Sequence, residues 1–144
     1  MILRNFLTAI MFTIGLSMFT LVHAQDNKMF DIAVTSIDGK SITLNEYVGK
    51  KPVYLKFWAT WCVPCREQMP HLQETYETFG DDVEVIAVNI YINDSAEAIR
   101  ATQQEFSLTV PVMVDDTGEL AQAFDLVGTP YHILIDIDGK VVFK

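Results

Sequence analysis

The sequence predicts a mixed α/β fold, in which a central β-sheet carries helices on its faces. β-hairpin patterns stand near both ends of the chain, and apolar β-rich runs alternate with helical patterns between them. A strand–helix–strand series forms parallel pairs, whereas tight turns join antiparallel strands, so the sheet should contain both kinds of pairing. The length of 144 residues, of which 50% are apolar and 20% charged, suits one hydrophobic core.

The first 24 residues are set apart from this core. Arg4 precedes an apolar run of 17 residues from Phe6 to Val22, and Ala24 closes a small-residue ending. This is the layout of a secretory signal peptide. The run falls just short of the roughly 20 residues that a spanning helix needs, so an uncleaved membrane anchor is the alternative. We therefore expect residues 1–24 to be a signal peptide and residues 25–144 to be an exported domain.

The exported domain opens with a predicted β-hairpin. Apolar and polar residues alternate between Phe30 and Tyr47, on both sides of an Asp38-Gly39 turn. The run VYLKFW at 53–58 is a predicted strand. A helix is predicted to start next, because apolar residues recur at helical spacing along one face. These residues are Met69, Leu72, Tyr76 and Phe79.

The second half of the chain continues the alternation. The run VEVIAVNI at 83–90 is a predicted strand covered on both faces, and Asp94 with Glu97 resembles a capping box that opens a helix. Short elements complete the fold: a strand at 110–114, a helix at 119–124, a strand at 132–136 and a last strand at 141–143. Asp115 and Asp116 precede the short helix, where they are expected to cap it rather than bind metal.

Both cysteines of the chain lie in the segment FWATWCVPCREQMP at 57–70. A zinc site needs four ligands, but no second CxxC pair exists and neither His71 nor His132 stands at finger-like spacing. A purely structural disulfide between Cys62 and Cys65 would close too short a loop to add much stability. A redox pair fits better, since a helix N-terminus stabilises a thiolate at Cys62.

In that interpretation Cys62 is the attacking nucleophile and Cys65 is the resolving thiol one helical turn later. Pro64 suits the first turn of the helix, where its missing N–H is harmless. The formal net charge of −9 and the absence of a basic stripe argue against nucleic acid and anionic membranes as partners.

The segment FWATWCVPC behind an export signal resembles the thioredoxin superfamily, and specifically the TlpA-like and ResA-like periplasmic thiol:disulfide oxidoreductases. The likeness extends from about Phe30 to Lys144 through GKKPVYLKFW, VEVIAVNI, the helix before VPVMVDD, VGTP and IDIDGKVV. It implies a thioredoxin-like fold with an N-terminal hairpin and an inserted helix. It also implies a periplasmic location, a kink at Pro70 and a cis peptide bond at Thr129-Pro130.

The resemblance also implies where a substrate binds. Contact with substrate is expected at four residues around the cysteine pair: Trp61, Pro64, Thr129 and Pro130. Trp58 is expected in the core, and Trp61 at the exposed rim. Tyr131 either lines the substrate groove or packs inside the domain.

Three departures from the family pattern stand out. Lys56 occupies the position of thioredoxin's buried aspartate; it either favours thiolate at Cys65 or, as we expect, extends outward to water. Gln68 stands where ResA-like members have a glutamate, and Glu67 beside it is expected on the solvated face. The chain ends at Lys144 without the C-terminal helix usual in the family, so apolar surface should be exposed.

The resulting hypothesis is an exported reductase of protein disulfides, with a membrane thiol-electron donor and no cofactor or metal besides the Cys62–Cys65 disulfide. The resemblance implies apocytochrome c or copper-site proteins as targets. Two alternatives are a disulfide-forming oxidase and a copper(I) metallochaperone without turnover. A thiol peroxidase is disfavoured, because its usual threonine is replaced by Ala59. Membrane contact is expected only if the N-terminal segment is retained.

Overall fold

The computed structural model describes residues 27–144. The predicted signal peptide and the predicted start of the domain at residue 25 lie outside these residues. The predicted mixed α/β architecture is confirmed, since seven strands form a single sheet with helices on both faces. No helix of residues 27–144 is long and apolar enough to cross a membrane.

The elements follow one another in the order that the sequence predicts, with two additional short turns of helix. The strands are β1 (Ala33–Ser36), β2 (Ser41–Thr43), β3 (Val53–Trp58), β4 (Glu84–Asn89), β5 (Val112–Val114), β6 (Tyr131–Ile135) and β7 (Val141–Phe143). The helices are α1 (Asn27–Phe30), α2 (Val63–Glu67), α3 (Met69–Phe79), α4 (Ala96–Glu105) and α5 (Glu119–Ala123), with a 3₁₀ turn at Leu44–Glu46.

The strands lie in the order β2-β1-β5-β4-β3-β6-β7. The three inner strands β3, β4 and β5 run parallel, as expected for strands joined through helices. The two hairpins β1–β2 and β6–β7 flank them with antiparallel pairing. β6 is antiparallel to β3, so the end of β3 lies beside the start of β6.

The alternation of side chains along β3 assigns its residues to two layers. Leu55 and Phe57 face the layer of α5, where the rings of Phe57 and Phe124 meet edge to face at 6.2 Å between centroids. Tyr54, Lys56 and Trp58 face the other layer, which holds α2, α3 and α4. Both crossovers, β3 to β4 and β4 to β5, step in the same direction across the sheet, so their right-handed connections place the helices on one face.

Two local predictions differ from the structure. The cap of α4 is Ser95, whose hydroxyl accepts from the Ala98 N–H at 3.1 Å, so the predicted capping box that begins at Asp94 is wrong. Phe79 is predicted on the same apolar helix face as Met69 and Leu72, but 53% of it is exposed. Phe79 is the last residue of α3, beyond the part of the helix whose Met69 and Leu72 pack on the sheet.

The helix after the cysteines is interrupted, as the expected kink at Pro70 implies. α2 ends at Glu67 and α3 begins at Met69, with Gln68 at the junction and Pro70 in the first turn of α3. A proline there is compatible with the start of a new helix, but it cannot donate to the preceding turn. At the other end of the described chain, no helix follows β7 within residues 27–144, and Val142 and Phe143 are exposed.

Candidate redox site

The two cysteines form a disulfide at the junction between β3 and α2. Their sulfur atoms are bonded, and their Cα atoms lie 5.2 Å apart. Cys65 is fully buried, whereas Cys62 keeps a small exposed fraction. This asymmetry suits a pair in which one sulfur meets an external partner and the other waits behind it.

Cys62 stands at the N-cap of α2, and its Sγ accepts a hydrogen bond from the Cys65 N–H at 3.3 Å. Unpaired N–H groups at a helix start favour negative charge on an adjacent sulfur, so the position supports a thiolate at Cys62 in the reduced protein. Pro64 lies in the first turn of α2, as predicted.

The turn that leads to Cys62 is held by hydrogen bonds to a loop that is distant in sequence. The Cys62 N–H donates to the Ala59 carbonyl at 3.2 Å and closes the turn. Asp94 accepts from the Thr60 N–H at 2.8 Å and from the Thr60 hydroxyl at 2.7 Å. The Trp61 Nε1–H donates to the Ile92 carbonyl at 2.7 Å. No local pattern in the sequence indicates this role of Asp94, because Asp94 and Glu97 resemble a helix cap.

The rim of the site is apolar and exposed. Trp58 is buried and Trp61 is 53% exposed, which confirms the two placements predicted for the tryptophans. Ile92, which the sequence analysis did not single out, is 58% exposed and directly joined to Trp61 through its carbonyl. Val63, the residue after the nucleophile, is exposed as well.

Thr129 and Pro130 lie at the same end of the sheet. The peptide bond between them is cis, as the resemblance implied. Tyr131 follows directly and pairs with Phe57 on β3, one residue before the strand's end. The topology therefore brings this segment beside the strand that leads into Cys62. Tyr131 itself is partly buried against the core, which favours its packing role.

Lys56 was expected to extend outward, and this expectation is wrong. The residue is only 1% exposed, because the helices α2 and α3 cover its face of the sheet. Burial lowers the pKa of its ammonium to about 8, since a charged group loses hydration there. No carboxylate forms an ion pair with Lys56 among the residues that the structure describes.

His132 is the neighbour of Lys56 on β6. Its Nδ1 lies 2.7 Å from the Tyr54 hydroxyl, and the two rings stack with centroids 6.0 Å apart. Burial lowers the pKa of His132, and the charge of Lys56 lowers it further. His132 therefore packs within the sheet, whereas His71 lies exposed on α3.

Two polar side chains on the elements next to the cysteine pair lack a hydrogen-bond partner for one atom each. Trp58 Nε1 and Gln68 Oε1 are buried without a partner in the described part of the chain. Glu67, by contrast, is exposed, as expected for the solvated face. The buried polar groups on β3 and at the α2–α3 junction are therefore Lys56 and two unpaired polar atoms, and Glu67 adds no buried carboxylate to them.

Within residues 27–144 no group of three or more His, Cys, Asp or Glu side chains is placed to hold a metal ion. In the acidic pair at 115–116, Asp115 binds backbone N–H groups instead. Asp115 is buried and accepts from the Leu120 N–H at 3.2 Å and the Ala121 N–H at 2.7 Å. It caps the first turn of α5, as predicted.

Comparisons with known proteins agree with this geometry. The model of the AhpC/TSA family matches residues 26–144. The thiol-disulfide oxidoreductase ResA of Bacillus thuringiensis subsp. konkukian is 35% identical over 113 residues, covering 78% of this chain and 64% of that protein. ResA of Geobacillus kaustophilus is 33% identical over 143 residues, covering 97% of this chain and 80% of the relative. The chain thus spans about two thirds of the length of several curated relatives.

Solved structures show the same fold. A secreted Mycobacterium tuberculosis disulfide oxidoreductase, homologous to E. coli DsbE, superposes with a TM-score of 0.72 at 18% identity, covering 81% of this chain and 84% of that one. The thioredoxin domain of the Bacteroides vulgatus thiol-disulfide oxidoreductase BVU-2223 gives 0.68 at 29% identity, covering 77% and 80%. With its sheet, its CxxC disulfide and these matches, the chain belongs to the AhpC/TSA family of thioredoxin-like proteins.

Proposed function

We propose that the protein is a thiol:disulfide oxidoreductase that reduces protein disulfides through Cys62 and Cys65. The observation that carries the proposal is the disulfide at the β3–α2 junction, with Cys62 at the helix start and Cys65 buried behind it. The relatives named ResA, which are thiol-disulfide oxidoreductases by name, support the same reaction class.

The reaction begins from the reduced pair. The Cys62 thiolate attacks one sulfur of the substrate disulfide, which forms a mixed disulfide and releases the first substrate thiolate. The Cys65 thiolate then attacks Cys62 Sγ, which releases the second substrate thiolate and forms the Cys62–Cys65 bond. The substrate gains two electrons, and its two thiolates take up two protons. A dithiol donor restores the reduced pair by the same exchange in reverse.

Site residues outside the pair position the substrate. Trp61 and Pro64 lie on the exposed side of Cys62, and Thr129 and Pro130 lie beside the end of β3. A substrate segment between these two sides would bring its disulfide to the Sγ of Cys62. In this arrangement Thr129 offers backbone groups to the segment, and Trp61 offers an apolar ring.

The cellular setting follows from the same proposal. An exported reductase needs a source of electrons, because exported compartments are oxidising. A membrane thiol transporter would supply them in the periplasm, and the protein would contact the membrane itself only if its N-terminal segment is retained. Targets of this class are apocytochrome c thiols awaiting haem or proteins that receive copper.

One observation favours the oxidase alternative. A buried ammonium at Lys56 stabilises thiolates in the layer of Cys65, and a more stable reduced form makes the pair a stronger oxidant. The reduction potential separates the two directions. A value near thioredoxin's, about −270 mV, would support the reductase, and a value near about −120 mV would support the oxidase.

Turnover separates both enzymes from a copper(I) metallochaperone. The purified protein should reduce insulin with a chemical dithiol as the electron source, and Cys62→Ser should abolish this activity. A Lys50→Met variant, altered at an exposed residue, is the matched control and should keep it. Stoichiometric copper(I) binding by the wild-type protein without insulin reduction would contradict the proposal.

A further inference from the structure

The turn that leads from β3 to Cys62 is hydrogen-bonded to another loop through its two middle residues, Thr60 and Trp61. Ala59, Thr60, Trp61 and Cys62 form one turn, closed by the bond from the Cys62 N–H to the Ala59 carbonyl. Thr60 is bound by Asp94 through both its N–H and its hydroxyl, and Trp61 is bound by the Ile92 carbonyl. The conformation that aims Cys62 therefore depends on the loop between β4 and α4.

Asp94 is the centre of this connection. Its Oδ2 accepts from the Thr60 N–H at 2.8 Å and from Asn89 Nδ2 at 2.9 Å, while its Oδ1 accepts from the Thr60 hydroxyl at 2.7 Å and from the Ser95 N–H at 3.1 Å. Hydrogen bonds to an ionised carboxylate are stronger than bonds between neutral groups. One side chain thus joins the end of β4, the start of α4 and the turn before the nucleophile.

The loop that Asp94 holds has an unusual backbone. Tyr91 and Asn93 have φ values of 55° and 49°, a left-handed conformation that costs energy for residues with a Cβ atom. Asn89, which is fully buried, supports the loop by accepting from the Tyr91 N–H at 2.8 Å. Such strain persists only where the surroundings impose it, and it concentrates at functional sites.

The result of this conformation is the exposure of an apolar side chain beside the nucleophile. Ile92 is 58% exposed at the tip of the loop, next to Trp61. A loop that served only to connect β4 with α4 would need neither the two left-handed residues nor the bond to Trp61. The hydrogen bonds keep Ile92 and Trp61 together as one apolar rim on the exposed side of Cys62.

We propose that residues 91–94 form a specificity element for protein disulfides and that Asp94 is its positioning residue. The partner is the polypeptide segment around a substrate cysteine, which places an apolar side chain against Ile92 and Trp61. The inference rests on the proposed function and deepens it, since it names the feature that separates protein substrates from small disulfides. Oxidised glutathione is too small and too polar to use this rim.

The test compares insulin with oxidised glutathione as substrates of the purified protein. Ile92→Ser should raise the KM for insulin about fivefold, because a contact at an exposed rim is lost, and should change the rate with oxidised glutathione by less than about twofold. Val142→Ser is the matched control. It removes a similarly exposed apolar side chain on β7, outside the site. It should change neither the KM for insulin nor the rate with oxidised glutathione.

Asp94→Ala should raise the KM for insulin about tenfold by releasing both the loop and Thr60. Asp94→Asn keeps an oxygen for the Thr60 N–H and should recover most of that loss. An unchanged KM for insulin in Ile92→Ser would overturn the specificity element, even if Asp94→Ala fails to fold. An equal loss with oxidised glutathione would also overturn it. If the wild-type protein reduces neither substrate, it is the proposed function that fails.

Discussion

The two sulfur atoms of the disulfide face surroundings of opposite character. On the side of Cys62, polar groups are paired with one another through Asp94, and the surface left for a partner is apolar. Cys65 itself is buried. In the described chain Trp58 and Gln68 have buried polar atoms without a hydrogen-bond partner, and the buried Lys56 forms no ion pair. We therefore propose that the exposed apolar surface serves recognition and that the buried polar groups tune the redox equilibrium.

The largest effect should come from removing the buried sulfur. In Cys65→Ser the first attack by Cys62 remains, but nothing resolves the mixed disulfide, so insulin reduction should fall by about three orders of magnitude. Mass spectrometry of the reaction should show one substrate chain bound per protein. Rapid turnover by this variant would mean that the division of labour between the two sides is wrong.

The next effect concerns the contribution of the buried Lys56 to the free energy of unfolding. Because burial lowers the pKa of Lys56 to about 8 from 10.5, the native protein loses this proton at a lower pH than the unfolded chain does. The free energy of unfolding of the wild-type protein should therefore rise between pH 8 and pH 10.5. Lys56→Met removes the buried charge and should stabilise the oxidised protein by about 2 kcal/mol at pH 7.

The advantage of Lys56→Met should shrink as the pH rises through 8, where the wild-type lysine becomes neutral. Denaturant unfolding at several pH values measures it. The exposed Lys50→Met is the control, with a change of no more than about 0.5 kcal/mol. A pH-independent advantage would show that lost charge is not the cause.

A smaller effect is expected on the redox equilibrium. We expect the Lys56 ammonium to favour the thiolates of the reduced pair at pH 7, so its removal should lower the reduction potential by about 30 mV, a tenfold change in the equilibrium constant. Equilibration of the protein with glutathione buffers gives the value. Ile92→Ser should leave the reduction potential unchanged, since it alters only the rim. Equal shifts in Lys56→Met and Ile92→Ser would contradict the proposed distinction between the two sides.

The smallest effect should come from an exposed ion pair that belongs to neither side. The guanidinium of Arg66 on α2 donates to both carboxylate oxygens of Glu105 on α4, at 2.6 and 2.7 Å. Glu105 is half exposed, so Glu105→Gln should lower the free energy of unfolding by less than about 1 kcal/mol. Thermal unfolding in low and high salt checks this. A loss of several kcal/mol would show that this exposed ion pair contributes as much to the free energy of unfolding as a buried contact does.

The sequence predicts best what depends on neighbouring residues. β3 and β7 have the predicted boundaries, and the cysteine pair lies at the predicted strand–helix junction, because hydrophobic alternation and the CxxC spacing are local signals. Asp94 was misassigned because its partner Thr60 is 34 residues away, while a plausible local cap lies within reach. Lys56 was misplaced because its exposure depends on the helices that pack over β3, which no local pattern records.

The chain has two tryptophans, both shortly before Cys62, and they differ in exposure. Trp58 is fully buried and Trp61 is half exposed, so the first should emit at shorter wavelengths and the second at longer ones. The protein therefore carries its own optical reporters. A change confined to the short-wavelength emission would report oxidation or reduction of the cysteine pair. A blue shift of the long-wavelength emission would report binding of a partner at the rim.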